Sequence, residues 1–362
     1  MTAILVAIDL PGGPGFVEAL QQIWRDGNAA FPVDQRLPAV AKAELCRVMR
    51  VGAEVERGDA LVVATSGSTG APKGVVLTHE AVAASASATT ARIGVRVDDH
   101  WLACLPLSHV GGLSVVTRAL YSKTSLTVLP AFDATAINAS PATLISLVGT
   151  ALARIDPTGY RAILLGGSRP PANPPPNAIT TYGLTETGSG VLYDGLPLTD
   201  VDVDVAEDGE IRLRGPMLLR SYRDGTSPLD DSGWLPTGDL GFWEDGRLQI
   251  AGRKSDLIIT GGENVWPETV EAALSTHPDV ADVLVRGVPD PKWGEIVVAA
   301  VIPVSGAAPT LDELRAHVKE TNPAYVAPKH IDLVEALPRT SLGKLQRGQP
   351  TDPATPAPPS IT

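Results

Sequence analysis

Up to about residue 252 the chain alternates short β-branched runs with Ala-rich stretches. The runs at 60–64, 126–129 and 162–165 predict strands, and 80–93 predicts a helix. That alternation predicts an α/β domain. Ile211-Arg212-Leu213-Arg214 then alternates apolar and basic positions, and the runs 240–243 and 248–251 flank an Asp245-Gly246 pair that predicts a hairpin. A small antiparallel β subdomain is expected to end the large one. After Gly252 the pattern restarts, with a helix opening at Pro267 that carries Val270 and Leu274 on one face, and strands at 280–285 and 296–304. Thr310-Leu311-Asp312-Glu313 reads as a capping box, opening a helix with Leu311, Leu314 and Val318 as its apolar stripe. The expected architecture is a large α/β domain over 1–252, a smaller α+β domain over 253–349 and a Pro-rich, disordered tail over 350–362.

The 362 residues fit about two domains. A net charge of −12 argues against a general electrostatic grip on nucleic acid or an anionic membrane, so any anionic ligand must be held by local groups. Cys46 and Cys104 lack CxxC spacing, which fits a reducing compartment and a cytoplasmic location. No apolar run approaches the ~18 residues of a membrane span, and residues 1–10 lack the basic start of a signal peptide. The histidines show no metal-ligand spacing.

The strongest local signal is Thr65-Ser66-Gly67-Ser68-Thr69-Gly70-Ala71-Pro72-Lys73-Gly74. Its glycines free the backbone to bend round phosphate, its hydroxyls donate to phosphate oxygens, and Lys73 adds charge. A Walker A loop needs GxxxxGK followed by Ser or Thr, and this spacing is absent. The segment is a phosphate loop of another kind, although composition alone also allows a flexible connector.

The segment resembles the phosphate-loop signature of the adenylate-forming superfamily, which includes acyl-CoA synthetases, carrier-protein adenylation domains and luciferases. Further segments match in the order that family requires. Tyr182-Gly183-Leu184-Thr185-Glu186-Thr187 resembles its YGxTE segment, which implies that Glu186 holds Mg²⁺ bridging ATP phosphates and that Thr185 contacts the α-phosphate. Gly166-Gly167-Ser168 is similar to the loop that packs on adenine, and Thr237-Gly238-Asp239 to the segment whose Asp accepts from both ribose hydroxyls. Gly252-Arg253-Lys254-Ser255-Asp256 resembles the hinge; Arg253 would reach the ribose and Ser255 would be the pivot, where many relatives carry Asp or Lys. Residues 337–347 match PxxxxGKxxR, which implies that Lys344 points at the carboxylate and α-phosphate and offsets the charge that builds as one anion attacks another.

The resemblance implies two steps. A carboxylate attacks the α-phosphorus of MgATP and releases pyrophosphate; a thiolate, that of CoA, then attacks the acyl-adenylate and releases AMP. A mobile small domain would present Lys344 for the first step and Thr260-Gly261-Gly262-Glu263-Asn264 for the second, with the glycine pair letting the pantetheine arm pass.

Residues 106–113 resemble the acid-pocket segment, in which His109 would abut the carboxylate beside Gly111 and Gly112. Arg118 follows in a mostly apolar stretch, and a buried Arg needs an anionic partner, either a structural carboxylate or a second carboxylate of the acid. Together these residues resemble the o-succinylbenzoate:CoA ligases of menaquinone biosynthesis. Only 64 residues precede the phosphate loop, fewer than in most relatives, and residues 1–59 match weakly. A shortened large domain leaves less wall for a long acyl chain and favours a small acid.

The alternatives are a ligase for another aryl or short-chain acid and an enzyme that loads a carrier-protein pantetheine. A P-loop kinase or ATPase is disfavoured by the missing GxxxxGK[ST], and a non-catalytic relative by the retention of Lys73, Glu186, Asp239 and Lys344. Expected partners are a small carboxylic acid, ATP and CoA, without nucleic acid or an integral membrane span; a homodimer is left open.

Overall fold

The computed structural model describes residues 2–66, 72–167, 171, 173–338 and 347, so the tail expected over 350–362 lies outside the described residues. Contacts divide the chain into two units. The first comprises Met1–Ala206, Ile211–Thr237 and Trp243–Gln249, and the second Glu207–Glu210, Gly238–Phe242 and Ile250–Thr362.

One sheet of the first unit runs in the order β1 (Leu5–Ile8), β2 (Ala29–Pro32), β3 (Asp59–Ser66), β4 (Pro72–Thr78), β14 (Ser221–Tyr222). Its first three strands are parallel, linked by α1 (Pro14–Arg25) and α2 (Ala39–Val48), while β4 and β14 add antiparallel. Residues 1–59 supply the parallel edge of this sheet. Their initial apolar run is β1, which sets Leu5 and Ile8 in the core.

The second sheet runs β11 (Leu196–Pro197), β10 (Gly190–Tyr193), β9 (Ala178–Gly183), β8 (Ala162–Leu165), β7 (Leu144–Leu147), β5 (His100–Ala103), β6 (Ser125–Val128). It is parallel from β9 to β6 and antiparallel at β10 and β11. Every residue of β7 and β8 is buried, and β8, apolar throughout, reads as a continuous run and not as an alternation. Helices α3 (His79–Ile93) and α4 (Val110–Ser122) pack together, and short helices α5 (Ala134–Asn138) and α6 (Gly149–Leu152) fill connections.

The small sheet contains β12 (Asp202–Val205), β13 (Glu210–Arg214), β15 (Leu235–Glu244) and β16 (Arg247–Arg253). Ile211 and Leu213 are fully buried, while Arg212 pairs with Asp204 and Arg214 with Asp202 across the strands, so the alternation in the sequence is that of a half-buried strand. Asp245 and Gly246 both take positive φ, 48° and 74°, as a two-residue hairpin of this hand requires.

In the second unit, β18 (Glu263–Val265), β17 (Ile258–Thr260), β20 (Gly294–Pro303) and β19 (Val280–Asp290) form a sheet, with β21 (His330–Leu333) beside β20. Val270 and Leu274 of α7 (Pro267–Leu274) and Leu314 and Val318 of α8 (Leu311–Thr321) pack on its valines. The expected capping box forms: Glu313 N–H donates to Thr310 Oγ1 at 3.3 Å and Thr310 N–H donates to Glu313 Oε2 at 2.8 Å, worth about 1 kcal/mol. β19 continues five residues past the expected end at Val285 because Gly287 and Pro289 interrupt the apolar pattern without interrupting the pairing, which runs on to Asp290 opposite Gly294.

Candidate functional site

The expected phosphate loop joins two strands. Thr65 faces Lys73 and Ser66 faces Pro72 across β3 and β4; Gly67, Ser68, Thr69 and Gly70 lie outside the described residues, as does Ser168. The Lys73 ammonium stands 4.7 Å from the centre of the Tyr222 ring, and the Tyr222 hydroxyl donates to Glu186 Oε1 at 3.0 Å. Thr185, Glu186 and Thr187 make a single helical turn between β9 and β10, pinned where Leu219 N–H donates to the Glu186 carbonyl at 2.7 Å.

Tyr182 and Gly183 end β9, and Gly166 and Gly167 follow β8. A Cβ on Gly183 would overlap the Ser189 carbonyl, so only glycine lets the chain return this closely. The carboxyl ends of parallel strands are where open α/β sheets take ligands. β5 also leads from its carboxyl end to His109, at the N-cap of α4.

Gly111, Gly112 and Arg118 follow on α4. A Cβ at Gly112 would overlap the carbonyls of Leu105 and Pro106, so the first turn of this helix can sit against them only with glycine. A narrow apolar cavity beside this turn is lined by Leu61, Leu77, Ala81, Val110, Leu113 and Thr117. His109 Nε2 lies 3.1 Å from an Arg36 Nη2, and Asp34 accepts from Arg36 Nε and Nη2 at 2.8 and 2.6 Å. Arginine carries no acceptor, so His109 Nε2 accepts and its proton sits on Nδ1. Burial, helped by the charge of Arg36 and opposed by Asp34, brings the imidazole down to about 4.

Replacing Arg36 by Leu should raise the His109 pKa, because Asp34, 3.8 Å from Nε2, would then face the imidazole without the competing cation. In the native chain His109 stays neutral down to about pH 4, against 6.5 for an ordinary histidine. The unfolded chain therefore binds more protons in that window, and the His109 contribution to stability falls as pH drops from 6.5 toward 4. An imidazole NMR titration checks the assignment; an unmoved midpoint in Arg36→Leu rejects it.

Arg118 is 3% exposed. Its Nη1 donates to Ser146 Oγ at 3.3 Å, its Nη2 to Ser189 Oγ, and its guanidinium carbon lies 5.7 Å from the centre of the Trp101 ring. Among the described residues its Nε has no partner and no carboxylate pairs with it. The structural carboxylate that the sequence allowed is therefore absent among them.

In the second unit, Asp239 is buried and meets Arg253 Nε at 2.9 Å. Lys254 reaches Asp208 and Glu210 at 2.6 and 3.0 Å, while Asp256 meets Arg347, which also binds Glu268 and Glu271, at 3.2 Å. The exposed Ser255 thus lies between two ion-pair anchors, its hydroxyl donating to neighbouring Asp256 at 3.1 Å. Gly261 and Gly262 form the β17–β18 turn with φ of 63° and 86°. A Cβ on Gly261 would meet the Trp293 ring, whereas one on Gly262 would meet none of the described residues within 4 Å. Lys344 lies outside the described residues.

The family model for AMP-binding enzymes matches residues 50–223, and that for the AMP-binding enzyme C-terminal domain matches 269–344. A probable 2-succinylbenzoate–CoA ligase of Mycobacterium tuberculosis is 37% identical to the chain, over 94% of it and 96% of that protein. The chain belongs to the adenylate-forming, AMP-binding enzyme family. Among solved structures, o-succinylbenzoate CoA synthetase of Bacillus subtilis in complex with its acyl-adenylate intermediate matches with a TM-score of 0.86 at 28% identity, over 96% of this chain and 88% of that one. The same protein with ATP and a magnesium ion matches at 0.85 and 27%.

The magnesium ion of this adenylate-forming enzyme fits Glu186, a hard oxygen donor whose Oε2 has no partner among the described residues. Magnesium ordinarily takes one or two carboxylates and completes its shell with phosphate oxygens and water. Two contacts escaped sequence reasoning, Tyr222 on Glu186 and Arg36 on His109. They join residues 36 and 73 positions apart, and no local pattern signals either.

Proposed function

We propose that this adenylate-forming enzyme is an AMP-forming ligase that activates o-succinylbenzoate with ATP and transfers the acyl group to CoA, yielding o-succinylbenzoyl-CoA, AMP and pyrophosphate for menaquinone biosynthesis. The observation that carries the reading to this acid is Arg118: a buried cation without a carboxylate partner among the described residues, on the helix that His109 opens. A dicarboxylate offers one group for reaction and a second for Arg118. The names of the relatives at Mycobacterium tuberculosis and Bacillus subtilis support the same acid.

In this reading Thr65, Lys73 and Thr185 hold the ATP phosphates, Glu186 holds the metal, and Asp239 with Arg253 holds the ribose. Bound magnesium supplies charge neutralisation on the phosphate oxygens. A neutral His109 presenting Nδ1–H orients the reacting carboxylate without protonating it, so the attacking oxygen keeps its charge. Lys344 offsets the charge that accumulates at the α-phosphate during attack. Ser255, between its two anchored neighbours, is where the small domain would turn between the steps, with Gly262 on the CoA side.

The free Cys46 and Cys104 support a cytoplasmic enzyme. Among the described residues no helix is long and apolar enough to cross a membrane. A homodimer completes the proposal, with mass in solution as its measure. The functional test is pyrophosphate release with a panel of carboxylic acids, each with and without CoA. A dominant signal and a CoA thioester with o-succinylbenzoate are expected; another aryl or short-chain acid giving the larger signal would replace the substrate, and thioester formation only on a carrier protein would replace the acceptor.

A further inference from the structure

Tyr222 ends β14, the short edge strand paired antiparallel with β4, and it stands opposite Val75. The pairing brings it beside Lys73, two residues earlier on β4, whose ammonium sits 4.7 Å from the centre of its ring. Its hydroxyl meanwhile donates to Glu186 Oε1 at 3.0 Å. One side chain therefore touches the phosphate-loop lysine through its π-face and the metal-holding carboxylate through its phenol.

We propose that Tyr222 is a positioning residue that sets Lys73 and Glu186 in fixed relation for MgATP, its hydroxyl orienting the carboxylate and its ring seating the ammonium. The inference rests on the proposed ATP-dependent reading. The backbone makes Tyr222 suited to this role: its N–H donates to Thr226 O at 2.7 Å, closing a turn, and the next residue is fixed by Arg223 N–H donating to Gly74 O at 2.7 Å. Arg223 Nε also donates to Met49 O at 3.0 Å. With Oε1 occupied by the Tyr222 hydroxyl, the carboxylate cannot rotate freely, and Oε2 is the oxygen presented to a cation. A ring face that attracts the ammonium likewise narrows the rotamers of a long, flexible lysine.

Two substitutions separate the halves of the device. Tyr222→Phe keeps the ring and removes the hydroxyl; Tyr222→Leu removes both. ATP binding is measured by titration calorimetry with purified full-length protein, once with excess Mg²⁺ and once with EDTA, alongside the thermal midpoint. Tyr222→Phe should weaken binding about 10-fold or more in Mg²⁺, as loss of a hydrogen bond to a charged group does, and leave binding in EDTA near wild type. Tyr222→Leu should weaken binding in both conditions, with the EDTA loss about 3-fold or more from the missing cation–π contact. Wild-type affinity in both variants overturns the inference, and so does an equal loss in Tyr222→Phe with and without Mg²⁺. If Tyr222→Leu unfolds, the near-isosteric Tyr222→Phe decides by its Mg²⁺ dependence alone. Failure of the wild-type protein to bind MgATP would instead remove the functional reading itself.

Discussion

Lys344→Ala should reduce acid-dependent ATP–pyrophosphate exchange by about 100- to 1,000-fold, the range for losing one preorganised donor at a developing charge, while thioester formation from supplied acyl-adenylate and CoA continues near the wild-type rate. The asymmetry follows from the chemistry. In the first step an anion approaches a polyanion, and a cation at the point of contact lowers the barrier more than it lowers the ground state. In the second step the CoA thiolate attacks the acyl carbon, the bond from that carbon to the phosphate oxygen breaks and AMP leaves; no anion attacks phosphorus, so the lysine has no such duty. Both half-reactions are measured on one preparation, and equal losses would reject the assignment.

Arg118→Met should abolish the preference for an acid with two carboxylates. The expected rise in KM for o-succinylbenzoate is about 30-fold to over 1,000-fold, the equivalent of losing one member of a buried charge pair. For 4-oxo-4-phenylbutanoate, which lacks the ring carboxylate, KM should stay within about threefold of wild type, a difference of less than 1 kcal/mol. Stability sharpens the test. Free Arg118 is a buried cation held by the hydroxyls of Ser146 and Ser189 and the face of Trp101, and such a charge without a counter-ion costs the fold free energy. The substitution should therefore hold or raise the thermal midpoint while selectivity is lost. A lowered midpoint with equal losses on both acids would make Arg118 a structural residue.

The elements with a strong local pattern are legible in the sequence. The helix Pro267–Leu274 and the capping box at Thr310 depend on contacts within a few residues, and the strand Ala162–Leu165 shows as an unbroken apolar run; each occurs where local pattern put it. The contiguous motifs were legible for the same reason: a phosphate loop or a YGxTE turn concentrates its chemistry in one short stretch. Less legible were strands whose pairing outruns their apolar pattern, such as β19 beyond Val285. The parallel edge built by residues 1–59 was also obscure, because β1 and β2 have only four residues each and acquire their identity from each other and from β3.

By itself the sequence determined the mixed α/β class, the order of the motifs and the chemistry those residue types can perform. Periodicity and spacing report which side of an element is apolar and which groups lie within one loop. Tertiary structure alone decided what stands opposite: Tyr222 against Glu186 across 36 positions, Arg36 against His109 across 73, and serines in place of a carboxylate beside Arg118, from 28 and 71 positions away. The physical reason is that strand order and register, not distance along the chain, choose the neighbours of a buried charge, and those neighbours determine whether it is neutralised within the fold or available to an anion.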